Sequence, residues 1–485
     1  MTQQAKFVEG STMKHILTMT GAGSIGLMAL FLVDLLDMMF ISMLGQVELA
    51  AAIGFAGTLM FFTTSISIGT SIAMGALVSK AIGAKQTDDA QRLVTHILLS
   101  AFVVNSIMTA VVMAYSPQLL ALLGAKGEAA YYAQAYLNIL LPSTPIMAMG
   151  MASGAALRAA GDAKLSMWST LIGGIVNAVL DPLFIFGFGW GVEGAATASV
   201  ISRITVFVVA FAPLIRVHHL VGKIEWRKLE RDLRPIFAIA LPAILTNTAT
   251  PIGNAIVTSS IAEYGENYVA GIAVIGRVTP VAFALIFALS GAVGPIIGQN
   301  YGAERIDRVN DTLKNSLIVT GVYCTVVSLF LYLLQGLIIN SFSLTGDAAT
   351  VIVVFCSVVA FTFIFNGVQF VANASFNNLG KPLYSTFLNM SKATLGTLPF
   401  VYFGSQWFGA LGVIYGQALG NVVFGVLAYL LLKKHITSLF TEQTIKQQQS
   451  DDITLQPVCM QPFCSHDAMV VDELPKEAEL LSENK

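Results

Sequence analysis

Leu317–Leu334 reads LIVTGVYCTVVSLFLYLL and Ile97–Met113 reads ILLSAFVVNSIMTAVVM; neither stretch holds a charged side chain. A bilayer core about 30 Å thick is crossed by roughly 20 residues of helix, and runs of this kind recur along nearly the whole chain. Hydrocarbon offers no partner to a free backbone N–H or C=O, so each run must be helical to satisfy its own. Of the 485 residues, 55% are hydrophobic and 11% charged, and the mean hydropathy is +0.74. A soluble chain of this length needs far more charge to cover its surface. The 42 glycines suit helices that pack closely in lipid.

Polar breaks divide the chain into about twelve candidate spans of bilayer length, near 15–43, 50–79, 93–115, 130–157, 165–187, 193–216, 233–261, 268–299, 312–340, 348–377, 383–404 and 410–432. The basic residues test this division. Lys6, Lys14, Lys80, Lys85, Arg92, Arg158 and Lys164 fall in or beside alternate connections, as do Arg216 to Arg234, Arg305, Arg308, Lys314, Lys381, Lys433 and Lys434. The intervening loops hold only Lys126. This bias places both termini in the cytoplasm. After His435 the chain turns polar and then Glu-rich, which predicts a mostly disordered tail.

Other classes of function lack their signals. Cys324 and Cys356 lie in apolar runs, so no disulfide framework is implied. In the tail, Cys459, Cys464 and His466 lack a zinc spacing. There is no Gly-x-x-x-x-Gly-Lys phosphate loop, no His-Glu-x-x-His and no Ser/His/Asp arrangement. The basic connections are short and without interleaved aromatics, which argues against nucleic acid. Met1 to Thr12 is polar and the first apolar run is long, so no cleavable signal peptide is expected.

The halves repeat at an offset of about 219 residues. Ala81-Ile82-Gly83-Ala84-Lys85 with Asp88 matches Asn300-Tyr301-Gly302-Ala303-Glu304 with Asp307. Gly161-Asp162-Ala163-Lys164 matches Gly380-Lys381-Pro382, and Asp181-Pro182 through Gly187 matches Leu398-Pro399 through Gly404. An even number of spans per half gives both the same orientation, related by an axis along the membrane normal. Transporters use such pairs of bundles, with substrate between them and access alternating as they rock.

Carboxylates in hydrocarbon cost about 2.5–3.5 kcal/mol on insertion scales, so they need a reason to be there. Three lie well inside the spans: Asp34 and Asp37 on the first and Asp181 on the fifth. All belong to the first half; the acids of the second, such as Glu263, Glu266 and Asp347, lie in loops. Asp34 and Asp37 share a helix face at i, i+3, as do Asn177 and Asp181 at i, i+4. Pro182 leaves the carbonyl of Ala178 without its helical partner. If the two helices face each other, the carboxylates surround one pocket and cannot all stay ionised. They would take a proton or hold Na⁺, although interhelical hydrogen bonding is the plainer role for such groups. Arg203, Arg277 and Lys392 also fall inside spans. Each could pair with a first-half acid across a central cleft or reach out to an interface. Met28, Met38, Met39, Met60, Met147, Met149 and Met151 crowd the first half; they could line a cleft, although such residues are usually packing.

At this point the chain resembles the multidrug and toxic compound extrusion (MATE) family over about residues 13–434. The carriers are Asp37-Met38-Met39-Phe40-Ile41-Ser42-Met43-Leu44-Gly45, Ala81-Ile82-Gly83-Ala84 with its echo Gly298-Gln299-Asn300-Tyr301-Gly302-Ala303, and Asn177 leading into Asp181-Pro182-Leu183-Phe184-Ile185-Phe186-Gly187. The resemblance implies two six-helix bundles around a V-shaped cleft and exchange of H⁺ or Na⁺ for organic, often cationic, drugs. It makes Asp37 the first-helix acid, Asn177 and Asp181 the fifth-helix pair, and Ser199 a sixth-helix hydroxyl. Some members carry further acids on the seventh and tenth helices, where this chain has Asn247, Asn254 and Asn366. The first-helix proline of many members is replaced by Gly21-Ala22-Gly23, whereas Leu241-Pro242 keeps it in the second half.

The sequence therefore predicts an all-α integral membrane protein of twelve transmembrane helices in two pseudo-symmetric six-helix bundles with a central cleft. The expected divisions are 1–217, a cytoplasmic connection 218–232, 233–434 and a tail 435–485. The expected activity is cation-coupled multidrug efflux, with H⁺ ahead of Na⁺ and no enzymatic step. A flippase of a lipid-linked precursor is the alternative, and it should line its cleft with several basic residues. Coupling falls to Asp37, Asp181, Asn177, Asp34 and Ser199, with Na⁺ the other occupant of Asp37, Asn177 and Asp181; no other metal is expected. The cleft falls to Lys392, Asn366 and Met39. No cofactor is expected beyond the coupling ion. The partners are small organic molecules and the bilayer of a bacterial-type inner membrane, and the chain is expected to be a monomer.

Overall fold

The computed structural model describes residues 5–44 and 47–454, which are helical throughout apart from short connections. A 3-10 turn, Lys6–Val8, precedes α1 (Thr12–Ser42), α2 (Val47–Gly83), α3 (Thr87–Leu122), α4 (Gly127–Leu140), α5 (Thr144–Ala159), α6 (Ala163–Pro182) and α7 (Gly191–Arg216). The second half holds α8 (Trp226–Ala262), α9 (Glu266–Ala282), α10 (Ala284–Gly302), α11 (Ile306–Ser341), α12 (Gly346–Val354), α13 (Ala360–Asn378), α14 (Pro382–Ala393) and α15 (Leu398–Thr454). Several predicted spans are interrupted within the bilayer. Pro142 and Pro145 divide the fourth into α4 and α5, Phe283 divides the eighth into α9 and α10, and a π-helical turn at Phe355–Val359 divides the tenth into α12 and α13.

Among the described residues, eleven helical segments are long and apolar enough to cross a membrane. The longest, Pro382–Ile445, has 64 residues and includes both α14 and most of α15, far more than one bilayer core needs. Besides the turn between α14 and α15 it breaks inside α15 at Gly409, where φ is 60° and ψ is −140°. Twelve passages result, in two repeated halves. The arms on either side of Gly409 meet backbone to backbone. A Cβ on Gly412 would overlap the carbonyl of Gly404, one on Gly416 that of Phe400, and one on Gly420 that of Gly396. Small residues at helical spacing allow this approach.

The repeat is visible in the backbone. Lys85 (φ 60°) and Glu304 (φ 58°) occupy equivalent positions after α2 and α10, and both are non-glycine residues in the left-handed region. The halves cross at these helix ends, which border the basic loops. A Cβ on Gly83 would overlap the carbonyl of Gln299, and one on Gly302 that of Lys80. The two contacts exchange under the repeat offset, so the crossing is its own image. Nearby, Gly298 lies against Ser79 and Asn378, Gly69 against Ile244 and the carbonyl of Ala240, and Gly23 against Ala288. The entering chain is tied into the crossing as well. The N–H of Phe7 donates to Gln299 Oε1 (2.9 Å), and its carbonyl accepts from Asn300 Nδ2 (3.2 Å) and Arg308 Nη2 (2.8 Å).

The mid-chain connection is shorter than the predicted 218–232, because α8 already begins at Trp226. It is clipped to α3. Gln91 donates to the carbonyl of His219 (2.8 Å), and the N–H of Gly222 donates to Thr95 (2.9 Å). His96 is fully buried; its Nε2 accepts the N–H of Glu225 (3.2 Å), which leaves Nδ1 to donate to Asp232 Oδ2 (2.8 Å). Arg92 Nε donates to the same oxygen (2.8 Å).

Residues up to Lys434 form one compact unit and those from His435 a second. Over 435–454 the chain is helical where its polarity predicts disorder. No Gly or Pro occurs between His435 and Gln456 to stop a helix. The rest of the predicted tail, with Cys459, Cys464 and His466, lies outside the described residues.

Candidate functional site

Helices α1 and α6 lie side by side. Gly174 of α6 meets Val33, and Gly26 of α1 meets Thr170 and Met167, so small residues set the distance. This approach brings Asp37 beside Asn177 and Asp181. Asn177 Nδ2 donates to Asp37 Oδ1 (2.8 Å) and to Asp181 Oδ2 (2.7 Å). The side chains of Asp37 and Asp181 are also within hydrogen-bonding reach of one another. Asp181 is 0% exposed, and its Oδ1 is a buried oxygen with no partner. After Asp181, Pro182 closes α6 and the chain widens into a π-helix over Leu183–Gly187. A π-turn is one way a helix adapts to the hydrogen bond that proline removes.

Asp34 sits one turn back on α1, exposed and outside the Asn177 bridge. Ser199 on α7 is half-buried and lies close to Tyr136 of α4, whose hydroxyl is in the neighbourhood of Asp37, Asp181 and Arg203. Tyr136 is the functional candidate that the sequence reading missed. Its apolar neighbours make it look like packing, and the one available signal is a hydroxyl carried in mid-span. Arg203 donates to the carbonyl of Leu140 (3.3 Å) and to Ser143 Oγ (2.9 Å) and, among the described residues, pairs with no carboxylate. Arg277 is exposed.

The second half encloses a cavity of about 530 Å³ between α8, α9, α13, α14 and α15. Lys392 Nζ donates to Asn366 Oδ1 (2.6 Å) and Gln369 Oε1 (3.0 Å). Gln369 Nε2 donates on to Asn389 (3.3 Å), whose Nδ2 donates to Asn373 (3.0 Å). Phe287, Phe363 and Phe370 form an aromatic wall, with Phe363 stacked on Phe283 at 3.9 Å between ring centroids. Among the described residues no Asp or Glu lines the cavity, and Lys392 is its one charged residue. Lys392 therefore bonds amides of its own half; pairing with a first-half acid was one of the roles the sequence left open. Gln369 and Asn389 were not anticipated, although Asn366, Gln369 and Asn373 share one face of α13 at i, i+3 and i+7. Met39 is exposed on α1 and does not line this cavity. Asn254 lines it, while Asn247 bonds the carbonyl of Ala243 on its own helix.

A family model described as MatE matches residues 24–183 and again 242–403, once in each half. The FAD transporter of Shewanella oneidensis is 25% identical over 425 residues, which are 86% of this chain and 94% of that protein. The multidrug export protein MepA of Staphylococcus aureus is 23% identical over 412 residues, 84% of this chain and 90% of its own length. The crystal structure of a MATE transporter of Vibrio cholerae superimposes with a TM-score of 0.85 at 23% identity, covering 88% of this chain and 97% of that one. With its tandem match, its twelve passages and its two repeated halves, the chain belongs to the MATE family of multi-pass membrane transporters.

Proposed function

We propose that the protein is a cation-coupled antiporter that exports small organic molecules, driven by H⁺ in preference to Na⁺. It would work as a monomer in a bacterial-type inner membrane with both termini in the cytoplasm. The observation that carries this reading is the partnerless Oδ1 of Asp181, fully buried beside Asp37. Two carboxyl groups at such range repel unless one holds a proton or a cation lies between them.

The orientation of Asn177 favours the proton. Na⁺ needs several oxygens converging on one point, yet Asn177 presents its amide N–H groups to both carboxylates. A donor already stands where a metal would need an acceptor. Protonation would cost Asn177 one of its two charged acceptors and loosen α1 from α6. Gly23 of the same α1 lies against Ala288 of the other half, so a shift of α1 bears on how the halves meet.

MepA, named for multidrug export, supports the efflux reading, and the FAD transporter widens the range of cargo beyond drugs. A flippase would need more basic residues in its cavity than Lys392 supplies. The test is Asp37→Asn in proteoliposomes that carry either a pH or a sodium gradient. Dye extrusion should follow the pH gradient in the wild type and vanish in the variant. Full drug/proton exchange by Asp37→Asn removes Asp37 from the mechanism, and extrusion driven by sodium alone replaces H⁺ with Na⁺.

A further inference from the structure

The acids of the candidate site lie in the first half, and the lysine-bearing cavity lies in the second. An ammonium has three donors. Lys392 spends two on Asn366 and Gln369, and neither amide carries charge to balance its own. The C-terminus of α14, where Lys392 stands, supplies only the partial charge of a helix dipole. A purely structural lysine this deep in a membrane protein would be expected to meet a carboxylate. This one instead faces a cavity of about 530 Å³ lined by amides, hydroxyls and three phenylalanines. That volume suits a drug-sized ligand, and a few placed polar groups on an apolar wall are the usual make-up of such sites.

We propose that the second-half cavity binds the anionic group of an aromatic, amphipathic molecule, with Lys392 as its counter-charge. The carboxylate or phosphate takes the remaining N–H of Lys392 and is flanked by Asn366, Gln369 and Asn389. The ring system lies along Phe287, Phe363 and Phe370. An organic cation gains nothing here, because Lys392 repels it and no acid on the wall attracts it. The occupant counts as a transport substrate only on the reading of the chain as an exporter; the binding chemistry does not depend on it. A soluble organic anion and the headgroup of an anionic lipid carry the same chemistry.

The probes are riboflavin and its 5′-phosphate, FMN, which share a planar ring and differ by one phosphate. Flavin fluorescence is titrated against purified full-length protein. The wild type should bind FMN about tenfold or more tightly than riboflavin, the difference one charge-assisted hydrogen bond makes. Lys392→Gln, which keeps a donor for the amides, should abolish that preference, and Lys392→Arg should retain part of it. Equal affinity of the wild type for the two flavins, absence of binding by both included, overturns the proposal. So does a preference that survives Lys392→Gln. The wild-type comparison decides even if a variant fails to fold. Displacement of FMN by phosphatidylglycerol and not by phosphatidylcholine assigns the site to a lipid headgroup, and displacement by neither assigns it to a soluble anion. The titration needs no ion gradient, so its failure and a failure of proton-coupled extrusion are read separately.

Discussion

Gly302 stands against the carbonyl of Lys80 so closely that a methyl group in place of its hydrogen would overlap it. Gly83 stands against Gln299 in the same way, at positions related by the repeat. Backbone cannot yield as a flexible side chain can, so a larger residue here must part the helix ends. We expect Gly302→Val to lower extrusion about tenfold or more, and to make Ser79→Cys, buried at the same crossing in the wild type, reactive toward a water-soluble maleimide. Wild-type transport with the cysteine still protected would show that this crossing does not need to close.

Tyr136 joins the hydroxyl of Ser199 to the surroundings of Asp37 and Asp181. Tyr136→Phe keeps the ring and removes the hydroxyl beside Ser199 and the acids, a change on the scale of one hydrogen bond, about 1 kcal/mol. Proton-driven dye extrusion should slow about fivefold, with dye affinity unchanged. Ser199→Ala, which leaves the tyrosine hydroxyl in place, should have the smaller effect. An unchanged rate in Tyr136→Phe would confine the coupling site to α1 and α6.

Asp232 serves two partners, Arg92 and His96, and its side chain is 6% exposed. Asp232→Asn removes the negative charge that Arg92 and His96 share and leaves Asp89 as the one carboxylate on Arg92. Breaking one side of a buried pair costs about 3–5 kcal/mol. The variant should melt earlier, and protease should cut the 217–225 connection faster. A melting temperature equal to the wild type would make this network dispensable.

Gly409 adopts φ 60° and ψ −140° where the chain turns back between the last two passages. That region is essentially closed to residues with a side chain, at about 1–3 kcal/mol each. Gly409→Ala should destabilise the protein by that amount in thermal melts. Its new methyl would meet nothing closer than Tyr264 at 3.9 Å, so any loss reports the backbone alone.

Much of this fold was legible because hydrocarbon imposes simple rules: long uncharged runs and alternating basic loops account for twelve passages in two halves. The meeting of Asp37, Asn177 and Asp181 was legible for the same reason, since buried acids in a bilayer have few places to go. The family resemblance pointed to Ser199, but sequence could not see Tyr136, which stands between Ser199 and the acids on a separate helix through packing that periodicity does not encode. Lys392 was visible as a charge inside a span, but its partners were not. Amides on a helix face look alike whether they bond each other, a lysine or a ligand. The interruption at Phe355–Val359 carries no breaker residue, whereas the one at Phe283 follows Pro280 in the last turn of α9, a signal inside an otherwise apolar span.

Helix α13 carries Asn366 and Gln369 at the lysine-bearing cavity and, farther along, Asn378, whose Oδ1 accepts from Ser79 Oγ at 3.5 Å in the other half. Between Asn366 and Asn378 runs about 18 Å of unbroken helix. A helix of that length is a stiff rod, so tugging at one tip swings the other. Whatever enters the cavity and draws on the two amides thereby handles the far clamp too, and filling a chamber within one half becomes news for both.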